Sequence, residues 1–461
     1  MPIEYDAIII GTGQAGPSLA GRLDAEGLKT AIIERGAIGG TCVNVGCIPT
    51  KALVASARAA HMVRRAADFG VEIGGPMHVD MARVNARMKE ISGASNRGLT
   101  GWLEGMKNVT LIRGDARFEG PNEVRVGDDV LRAERIFLNV GARAFVPDIP
   151  GIADVDLLTN TEMMELDTLP EHLIIIGGSY IGLEFGQMFR RFGSEVTVVE
   201  RGPRLIARDD EDVSDTVREV LEREGVRIEL GADCLGVRRE GAGVAVRLQC
   251  VEGEEPTEVI GSHLLVAVGR VPNTDTLGLD RAGVTIGARG FVEVDDQLRT
   301  SAPGVWAMGD CNGQGAFTHT SYNDFEIVAA NLFDDDSRRV SDRILCYGLF
   351  TDPPLGRVGM TEAQARASGR NVLMGKRLMK HVGRAKERSE TDGFIKVLVD
   401  GDSKEILGAA ILGINGDEVV HSLLDVMAAK MPYTVISRAV HIHPTVSELI
   451  PTTLQSLRPL E

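Results

Sequence analysis

No feature of this chain restricts its fold as strongly as a glycine-rich turn set between two apolar strands near its start. Gly11, Gly13 and Gly16 follow the apolar run Ala7–Ile10, and Glu34 ends the next apolar strand. Glycines at this spacing permit a tight turn and let the backbone approach a pyrophosphate, which the helix N-terminus stabilises. The acid can accept hydrogen bonds from a ribose diol. Because all parts occur in the required order, the pattern predicts a Rossmann-like, dinucleotide-binding α/β unit.

The same arrangement recurs in the middle of the chain, after the apolar run Leu173–Ile176. The acid Glu200 follows the first glycine, Gly177, by 23 residues, the same separation as in the first copy. Ser179 replaces the second glycine, and because serine is small we expect it to shift the pyrophosphate contact rather than abolish it. Two fingerprints in one chain predict two bound dinucleotides.

A close pair of cysteines follows the first fingerprint. Cys42 and Cys47 have four residues between them and stand behind a glycine pair. Pro49 suits the first position of a helix, and strong helix formers follow it. Cys47 is therefore expected near a helix N-terminus, whose partial positive charge lowers a thiol pKa. We interpret the pair as one that cycles between dithiol and disulfide. The alternatives are two unreactive thiols, or a metal site that includes His61.

Composition excludes some classes of partner. The net charge of −16, from 66 acidic and 50 basic residues, argues against nucleic acid or an anionic membrane as the main partner. No apolar run is long enough to span a bilayer. The first residues lack the basic and apolar segments of a signal peptide, so we expect a cytoplasmic protein, in which a close cysteine pair is catalytic or metal-binding. Cys234, Cys250 and Cys346 are interpreted as core cysteines, and Cys311, to which no role is assigned, as an incidental buried thiol.

The order of these patterns predicts an α/β chain with two Rossmann-like dinucleotide-binding domains and a C-terminal α+β domain. The predicted segments are 1–145 and 271–341 for the first dinucleotide-binding domain, 146–270 for the second, and 342–461 for the C-terminal domain. Segment 109–130 is predicted to form a small antiparallel sheet. Asp310 ends a strand, at the sheet edge where α/β proteins bind ligands.

Several motifs together resemble one protein family. The Cys42–Cys47 pair, the two fingerprints, the strand ending at Asp310 and the tail from His443 to Glu448 resemble the flavoprotein disulfide reductases, which include glutathione reductase, dihydrolipoamide dehydrogenase and mercuric reductase. The resemblance covers essentially the whole chain. It implies FAD in the first fingerprint, NADH or NADPH in the second, and a homodimer held together by the C-terminal domain.

The resemblance also implies which residues bind the cofactors. Those implied for FAD are Gly11, Gly13, Gly16, Glu34, Gly40, Thr41, Lys51, Ala116 near the adenine, Gly141, Asp310 at the ribityl chain and Thr318 at the pyrimidine edge. Those implied for the nicotinamide nucleotide are Gly177, Ser179, Tyr180, Ile181, Glu200, Arg201 and Gly269. Tyr180 would cover the nicotinamide pocket.

Catalytic roles follow from the same resemblance. Cys47 would face the flavin, and Cys42 would be the thiol that attacks the substrate. Lys51 would pair with Glu184 beside the flavin. The other subunit would supply His443 as the acid/base for Cys42, with Glu448 fixing its tautomer.

Some of these residues have simpler interpretations. Thr445 and Glu448 fit a capping box, in which the glutamate binds a helix N–H. His441 and His443 lie two apart on a predicted strand, a spacing that also suits a metal site. Tyr180 can be a core aromatic, and Lys51 a solvated charge.

The choice of nucleotide and substrate stays open at the level of sequence. Glu200 should repel a 2′-phosphate and so favours NADH, whereas Arg201 and Arg204 could clamp one; the balance favours NADH. Mercuric reductase carries a C-terminal cysteine pair and a tyrosine at the position of His443, and no cysteine follows Cys346 here. That difference argues against Hg²⁺ as the natural substrate.

Three functions are therefore carried forward. The first is a NAD(P)H-dependent reductase of a small disulfide or a metal ion. The second is a dihydrolipoamide dehydrogenase that oxidises a lipoyl carrier protein with NAD. The third is a flavin-containing redox sensor or scaffold with a merely structural disulfide.

Overall fold

The computed structural model describes residues 1–249 and 255–460. Cys250, predicted to be a core cysteine, lies outside the described residues. Within those ranges, no helix is both long enough and apolar enough to cross a membrane.

The first fingerprint forms the centre of a parallel five-stranded sheet. Its strands, in spatial order, are Val305–Ala307, Arg135–Leu138, Ala7–Ile10, Thr30–Glu34 and Val109–Arg113. The adjacent strands Ala7–Ile10 and Thr30–Glu34 are buried over nearly their whole length, as expected for parallel strands covered on both faces. The helices Ala15–Ala25, Met81–Glu104 and Thr318–Phe333 pack around this sheet.

The predicted antiparallel piece is shorter than the sequence indicated. Val109–Arg113 pairs in parallel with Thr30–Glu34 and completes the Rossmann sheet instead. The antiparallel strands are Ala116–Gly120, Glu123–Val126 and Asp129–Arg132, and Ile3–Glu4 adds to the last of them in parallel. The error arose because alternation in a short edge strand does not tell which partner the strand will take.

The second fingerprint forms a second parallel five-stranded sheet. Its strands, in spatial order, are Leu157–Leu158, His263–Val266, His172–Ile176, Glu195–Glu200 and Arg227–Leu230. Its helices are Tyr180–Phe192 and Glu211–Arg223, and the antiparallel strands Asp233–Glu240, Gly243–Gln249 and Thr257–Gly261 form a neighbouring sheet. The pair Ala142–Ala144 and Arg270–Pro272 joins the chain segments on either side of this unit.

The C-terminal part has the predicted α+β composition. Its six-stranded sheet has the order Cys346–Leu349, Leu355–Gly359, Ile406–Leu412, Phe394–Asp400, Val372–Leu378 and Arg458–Pro459. Its helices are Glu362–Ala367, Gly383–Glu387, Gly416–Val419, His421–Ala428, Thr434–Ser437 and Leu449–Leu454. The fold class is thus confirmed: an α/β chain with two Rossmann-like units and a C-terminal α+β domain.

The other α-helices of the described residues are Gly40–Asn44, Cys47–Arg64, Asn160–Met163 and Leu279–Ala282, and the 3₁₀ helices are Ala66–Phe69, Ile152–Asp154, Gly309–Asn312, Val340–Asp342 and Met379–His381. His441 and His443 lie in irregular backbone, so the predicted strand there is wrong.

Candidate active site

Two consecutive helices carry the cysteine pair. Cys42 lies on Gly40–Asn44, and Cys47 is the first residue of Cys47–Arg64. The predicted helix start at Pro49 is two residues late, because Thr50 N already donates to Gly46 O at 2.9 Å. Pro49 still lies in the first turn, where a missing N–H leaves no helical bond unmade.

The two thiols have opposite electrostatic environments. A hydrogen bond from Cys42 is the largest cause that lowers the pKa of Cys47 to about 6, against the opposing effect of burial, and Thr318 and the charge of Lys51 lower it further. The Cys47 sulfur lies 3.1 Å from Thr318 Oγ1. The same cysteine–cysteine hydrogen bond, followed by burial, raises the pKa of Cys42. Cys47 is therefore the thiolate of the pair, and Cys42 needs a base before it can attack.

An ion pair flanks the thiols, one helical turn after Cys47. Lys51 Nζ lies 2.7 Å from Glu184 Oε2, and its ammonium stands 4.3 Å from the centre of the Phe350 ring. The Glu184 side chain is only 8% exposed, and its other oxygen accepts from Phe350 N at 3.1 Å. Phe350 was not found from the sequence, because no motif marks it.

The glycines of the first fingerprint let backbone segments approach one another more closely than any side chain would allow. At Gly11 the backbone has φ +106°, and an added Cβ would lie 2.3 Å from Asn139 O. At Gly16 an added Cβ would lie 2.3 Å from Gly11 O, and at Gly40 one would lie 3.0 Å from the Gly13 backbone. These positions form a cradle of bare backbone at the start of helix Ala15–Ala25, which fits a dinucleotide pyrophosphate.

The acidic residues of the two fingerprints make equivalent contacts. Glu34 accepts from Thr12 N at 2.9 Å and from Gly36 N at 2.8 Å. Glu200 accepts at the corresponding positions, from Gly178 N at 2.7 Å and from Gly202 N at 2.6 Å. Both carboxylates are thereby fixed at the ends of their strands, where a ribose would lie.

The other residues implied for FAD lie at the edges of this cradle. Asp310 lies on Gly309–Asn312, 3.5 Å from Arg270 Nε, and burial is the main cause that raises its pKa. Arg270 Nη2 also donates to Thr41 Oγ1 at 3.4 Å. Ala116 begins an antiparallel strand and is half-buried, and Gly141 accepts from Asn273 N at 3.0 Å.

The residues implied for the nicotinamide nucleotide lie around the second cradle. At Gly177, φ is +116° and an added Cβ would lie 2.4 Å from Ala267 O. Ser179 precedes helix Tyr180–Phe192, on whose first turn Ile181 packs against the core. Gly269 accepts from Phe145 N at 2.9 Å. Arg201 is 86% exposed and lies 2.9 Å from Asp233 Oδ1.

Tyr180 is held by residues that the sequence did not single out. Its hydroxyl donates to Asp209 Oδ2 at 2.7 Å, and the Tyr347 hydroxyl donates to Asp209 Oδ1 at 3.1 Å. Phe317 and Tyr347 stack at 5.6 Å between ring centres, and Tyr180 meets both edge-on. Burial is the main cause that raises the pKa of Tyr180, and it raises the pKa of Tyr347 to about 12.

The C-terminal histidine lies apart from these groups, on an exposed segment. The His443 side chain is 80% exposed, and its Nδ1 lies 2.9 Å from Glu448 Oε2. Only half of the capping box forms: Glu448 N donates to Thr445 Oγ1 at 3.2 Å, whereas the Glu448 carboxylate turns to the histidine. The neighbouring Val440 and Ile442 are 100% and 80% exposed.

One acidic cluster has the spacing of a metal site. The carboxylates of Asp210, Asp212 and Glu362 lie within 4.8 Å of one another in the described part of the chain. The Lys396 ammonium occupies their centre, at 2.9, 2.6 and 2.5 Å from the three. The site thus already holds a cation. Neither the cysteine pair nor His441 belongs to a metal-binding group among the described residues.

Comparison with known proteins identifies the family. A family model described as pyridine nucleotide-disulphide oxidoreductase matches residues 5–324, and one described as its dimerisation domain matches residues 346–454. The chain belongs to the pyridine nucleotide-disulphide oxidoreductase family.

Several curated members of this oxidoreductase family match along almost their whole length. A probable pyridine nucleotide-disulfide oxidoreductase, RclA, from Escherichia coli strain K12 is 36% identical over 96% of this chain and 97% of its own. A dihydrolipoyl dehydrogenase from Thermus scotoductus is 34% identical over 96% and 95%, and a mercuric reductase from Streptomyces lividans is 34% identical over 98% and 96%.

A solved structure of an oxidoreductase of the same family has the same fold. The Cu(II) complex of the HOCl-induced flavoprotein disulfide reductase RclA from Escherichia coli matches with a TM-score of 0.89 and 35% identity, covering 98% of this chain and 99% of that one. As a pyridine nucleotide-disulphide oxidoreductase, the chain belongs to a family that depends on FAD and a pyridine nucleotide, and it contains the family's dimerisation domain.

Proposed function

We propose that this protein is a NAD(P)H-dependent flavoprotein reductase, in which electrons pass from the nicotinamide through FAD to the Cys42–Cys47 pair. The pair then reduces a small disulfide or a metal ion. The observation that supports this most directly is the position of Cys47, which begins helix Cys47–Arg64 and lies 3.1 Å from Thr318 Oγ1, in surroundings that lower its pKa to about 6. A merely structural disulfide does not need a stabilised thiolate.

The described residues can perform the steps that the cofactors do not. When bound, FAD and the nicotinamide supply two-electron transfer to the sulfur pair. The charge of Lys51 and the Thr318 hydroxyl stabilise the Cys47 thiolate, and the buried Glu184 holds Lys51 in place. Helix Cys47–Arg64 adds its N-terminal partial charge to the same sulfur.

The substrate side needs a base, because the pKa of Cys42 is raised. We assign this role to the partner subunit's His443, whose tautomer Glu448 fixes. The base takes the proton of Cys42, whose sulfur attacks the substrate disulfide, and one substrate thiol leaves with that proton. The Cys47 thiolate then attacks Cys42, the mixed disulfide breaks, and the second substrate sulfur leaves as a thiolate that takes its proton from solvent.

A metal-ion substrate is the second candidate. A relative 35% identical to this chain was solved as a Cu(II) complex, and another relative is a mercuric reductase. The net charge of −16 favours the approach of a cation. Oxidation of the dithiol to the disulfide would reduce two Cu(II) to two Cu(I).

For the nucleotide, we propose a preference for NADH. Both oxygens of Glu200 are held by backbone N–H groups, so its negative charge stands where a 2′-phosphate would lie. Arg201 is mostly exposed and bound to Asp233, which leaves it a weak clamp for that phosphate. Glu200→Ser should therefore improve KM for NADPH relative to NADH.

Anaerobic titration of the FAD-loaded protein with NADH tests the proposed relay. We expect a long-wavelength absorbance band after two electrons, which requires a thiolate beside the flavin, and no such band in Cys47→Ser. A purified protein that is colourless and takes up no FAD would refute the relay. A protein that binds FAD but shows no band would support the sensor or scaffold alternative.

A substrate panel then separates the remaining alternatives. Glutathione disulfide, Cu²⁺ and Hg²⁺ are assayed with NADH and NADPH, and dihydrolipoamide is assayed with NAD⁺. A strong dihydrolipoamide rate alone would favour the lipoyl-carrier function, as the dihydrolipoyl dehydrogenase relatives suggest.

A further inference from the structure

A cavity of about 580 Å³ lies away from the cysteine pair, and arginines dominate its lining. The arginines are Arg64, Arg65, Arg190, Arg191 and Arg223. Four carboxylates also line it: Glu224, Asp352, Glu390 and Asp392. In a chain with a net charge of −16, so many arginines around one concavity are unexpected unless something compensates for their charge.

Most of the carboxylates are already committed to specific arginines. Arg191 lies 2.6 Å from Glu224 and 2.7 Å from Asp352. A further arginine outside the cavity lining, Arg58, binds Asp352 and Glu390, each at 2.7 Å. These two arginines thus bind three of the four lining carboxylates, and the fourth, Asp392, binds Arg223. No lining carboxylate is left for the remaining arginines of the cavity.

Two guanidinium groups bind only uncharged acceptors in the described part of the chain. Arg64 Nη1 donates to Arg191 O. Arg190 donates through Nε to Glu224 O at 2.9 Å and through Nη1 to Ser194 O at 3.1 Å. A main-chain carbonyl carries only a partial charge, so neither guanidinium is in direct contact with a full negative charge, although the more distant Glu224 acts on Arg64.

The pKa shifts of Arg64 and His61 agree with an excess of positive charge at the cavity. Burial, followed by the charges of Arg190 and Arg191, lowers the pKa of Arg64. Burial and the charge of Arg191 also lower the pKa of His61, although Glu224 and Asp352 act in the opposite direction. Positive charge at this site is thus disfavoured as it stands, and a bound anion would relieve it.

We propose that this cavity binds a small oxyanion, a phosphate- or carboxylate-bearing molecule, through Arg64 and Arg190. Guanidinium groups bind both oxyanions through paired hydrogen bonds, and the volume lies within the range of small-molecule sites. This site is separate from both fingerprint cradles, and the proposal does not depend on the proposed reductase activity.

Two helices connect the cavity to the active site. Arg64 ends the 18-residue helix that begins at Cys47, and Arg190 lies near the end of the 13-residue helix that begins at Tyr180. Helices of these lengths extend about 27 and 20 Å. Ser389 and Asp392 of the C-terminal domain line the same cavity, so all three parts of the chain contribute to its lining.

Thermal unfolding of the FAD-loaded protein tests the proposal, with inorganic phosphate or sulfate as the probe and chloride added to equal ionic strength. Saturating NAD⁺ fills the second cradle, so that phosphate bound there does not contribute. We expect the Tm to be higher in phosphate than in chloride, and the increase to saturate with phosphate concentration. The Arg64→Gln variant should bind phosphate about tenfold more weakly than the unmutated protein.

Matched variants make the result decisive. Arg238→Gln removes an exposed arginine from the antiparallel sheet and should leave the phosphate effect unchanged. Arg190→Lys keeps the charge and should retain part of the binding, even if Arg190→Gln proves unstable. No effect beyond chloride, an equal effect in Arg64→Gln and Arg238→Gln, or loss of the effect when NAD⁺ is added would each overturn the proposal.

Sulfate affinity should also depend on pH through His61. Arg65, Arg191, Glu224 and Asp352 face this imidazole. Its protonation adds a positive charge to the cavity, and its pKa is lowered from the ordinary histidine value, so sulfate should bind more tightly as the pH falls below about 6.5. His61→Gln should remove this dependence, and its persistence in that variant would contradict the proposed location.

Discussion

At the scale of single residues, the hydrogen bond between the two thiols controls which of them is ionised. Cys42→Ala removes the donor and should raise the pKa of Cys47 above about 6, whereas Cys42→Ser keeps a donor and should preserve the low value. In both variants the long-wavelength band should be present at high pH and disappear as the pH falls through that pKa. Spectroscopic pH titration measures the midpoint, with Cys234→Ser as the control. Equal midpoints in the alanine and serine variants would contradict this explanation.

Lys51 and Glu184 illustrate how one partner of a half-buried ion pair depends on the other. Lys51→Met leaves the carboxylate of Glu184, which is 8% exposed, without its cation. We expect a loss of about 1–2 kcal/mol in unfolding free energy, discounted because Lys51 is itself partly exposed. The pKa of Cys47 should rise in the same variant, since the charge of Lys51 helps to lower it.

An exposed pair provides the control for that measurement. Lys89→Met breaks the contact with Glu165, whose side chain is 72% exposed, and should cost less than about 0.5 kcal/mol. Denaturant unfolding of the two variants gives the comparison. A Lys51→Met protein no less stable than Lys89→Met would show that Glu184 does not need its cation.

At the scale of elements, the two glycine turns can be disabled separately. Gly177→Ala places a Cβ 2.4 Å from Ala267 O at a φ of +116°, so it should abolish NADH binding while FAD stays bound. Gly11→Ala makes the equivalent clash with Asn139 O and should reduce FAD content. Gly186→Ala, where an added Cβ meets nothing closer than 3.4 Å, is the control, and it lies in the helix that follows the second turn. Flavin absorbance and NADH titration distinguish the three variants, and NADH binding by Gly177→Ala would show that this turn is not the nucleotide site.

The same elements show what a sequence can and cannot predict. Both fingerprints were predicted with their acids, because a glycine is required wherever a Cβ would meet the backbone, and that requirement is local. The parallel pairing of Val109–Arg113 was missed, because register and partner depend on distant strands. The hydrogen bonds of Tyr180 and Tyr347 to Asp209 were missed for a similar reason. The two tyrosines lie 29 and 138 residues away from Asp209 in the sequence.

At the scale of the whole molecule, the isolated chain brings most of the site together but leaves the predicted base exposed. His443 lies on a segment whose Val440 and Ile442 are almost fully exposed, which is unusual for apolar side chains unless another surface covers them. The match to a dimerisation domain at residues 346–454 supports a second copy of the chain as that surface.

Subunit mixing tests whether the base acts across such an interface. Cys42→Ser and His443→Ala homodimers should each be nearly inactive, since each lacks one of the two groups at both sites. If the partner subunit supplies the base, a mixed dimer has one site with both mutations and one with neither. In a twofold-symmetric dimer, unfolding and refolding an equal mixture should then recover about a quarter of the wild-type activity. If His443 acted within its own chain, no site in the mixed dimer would hold both groups, and activity would stay at the level of the separate variants.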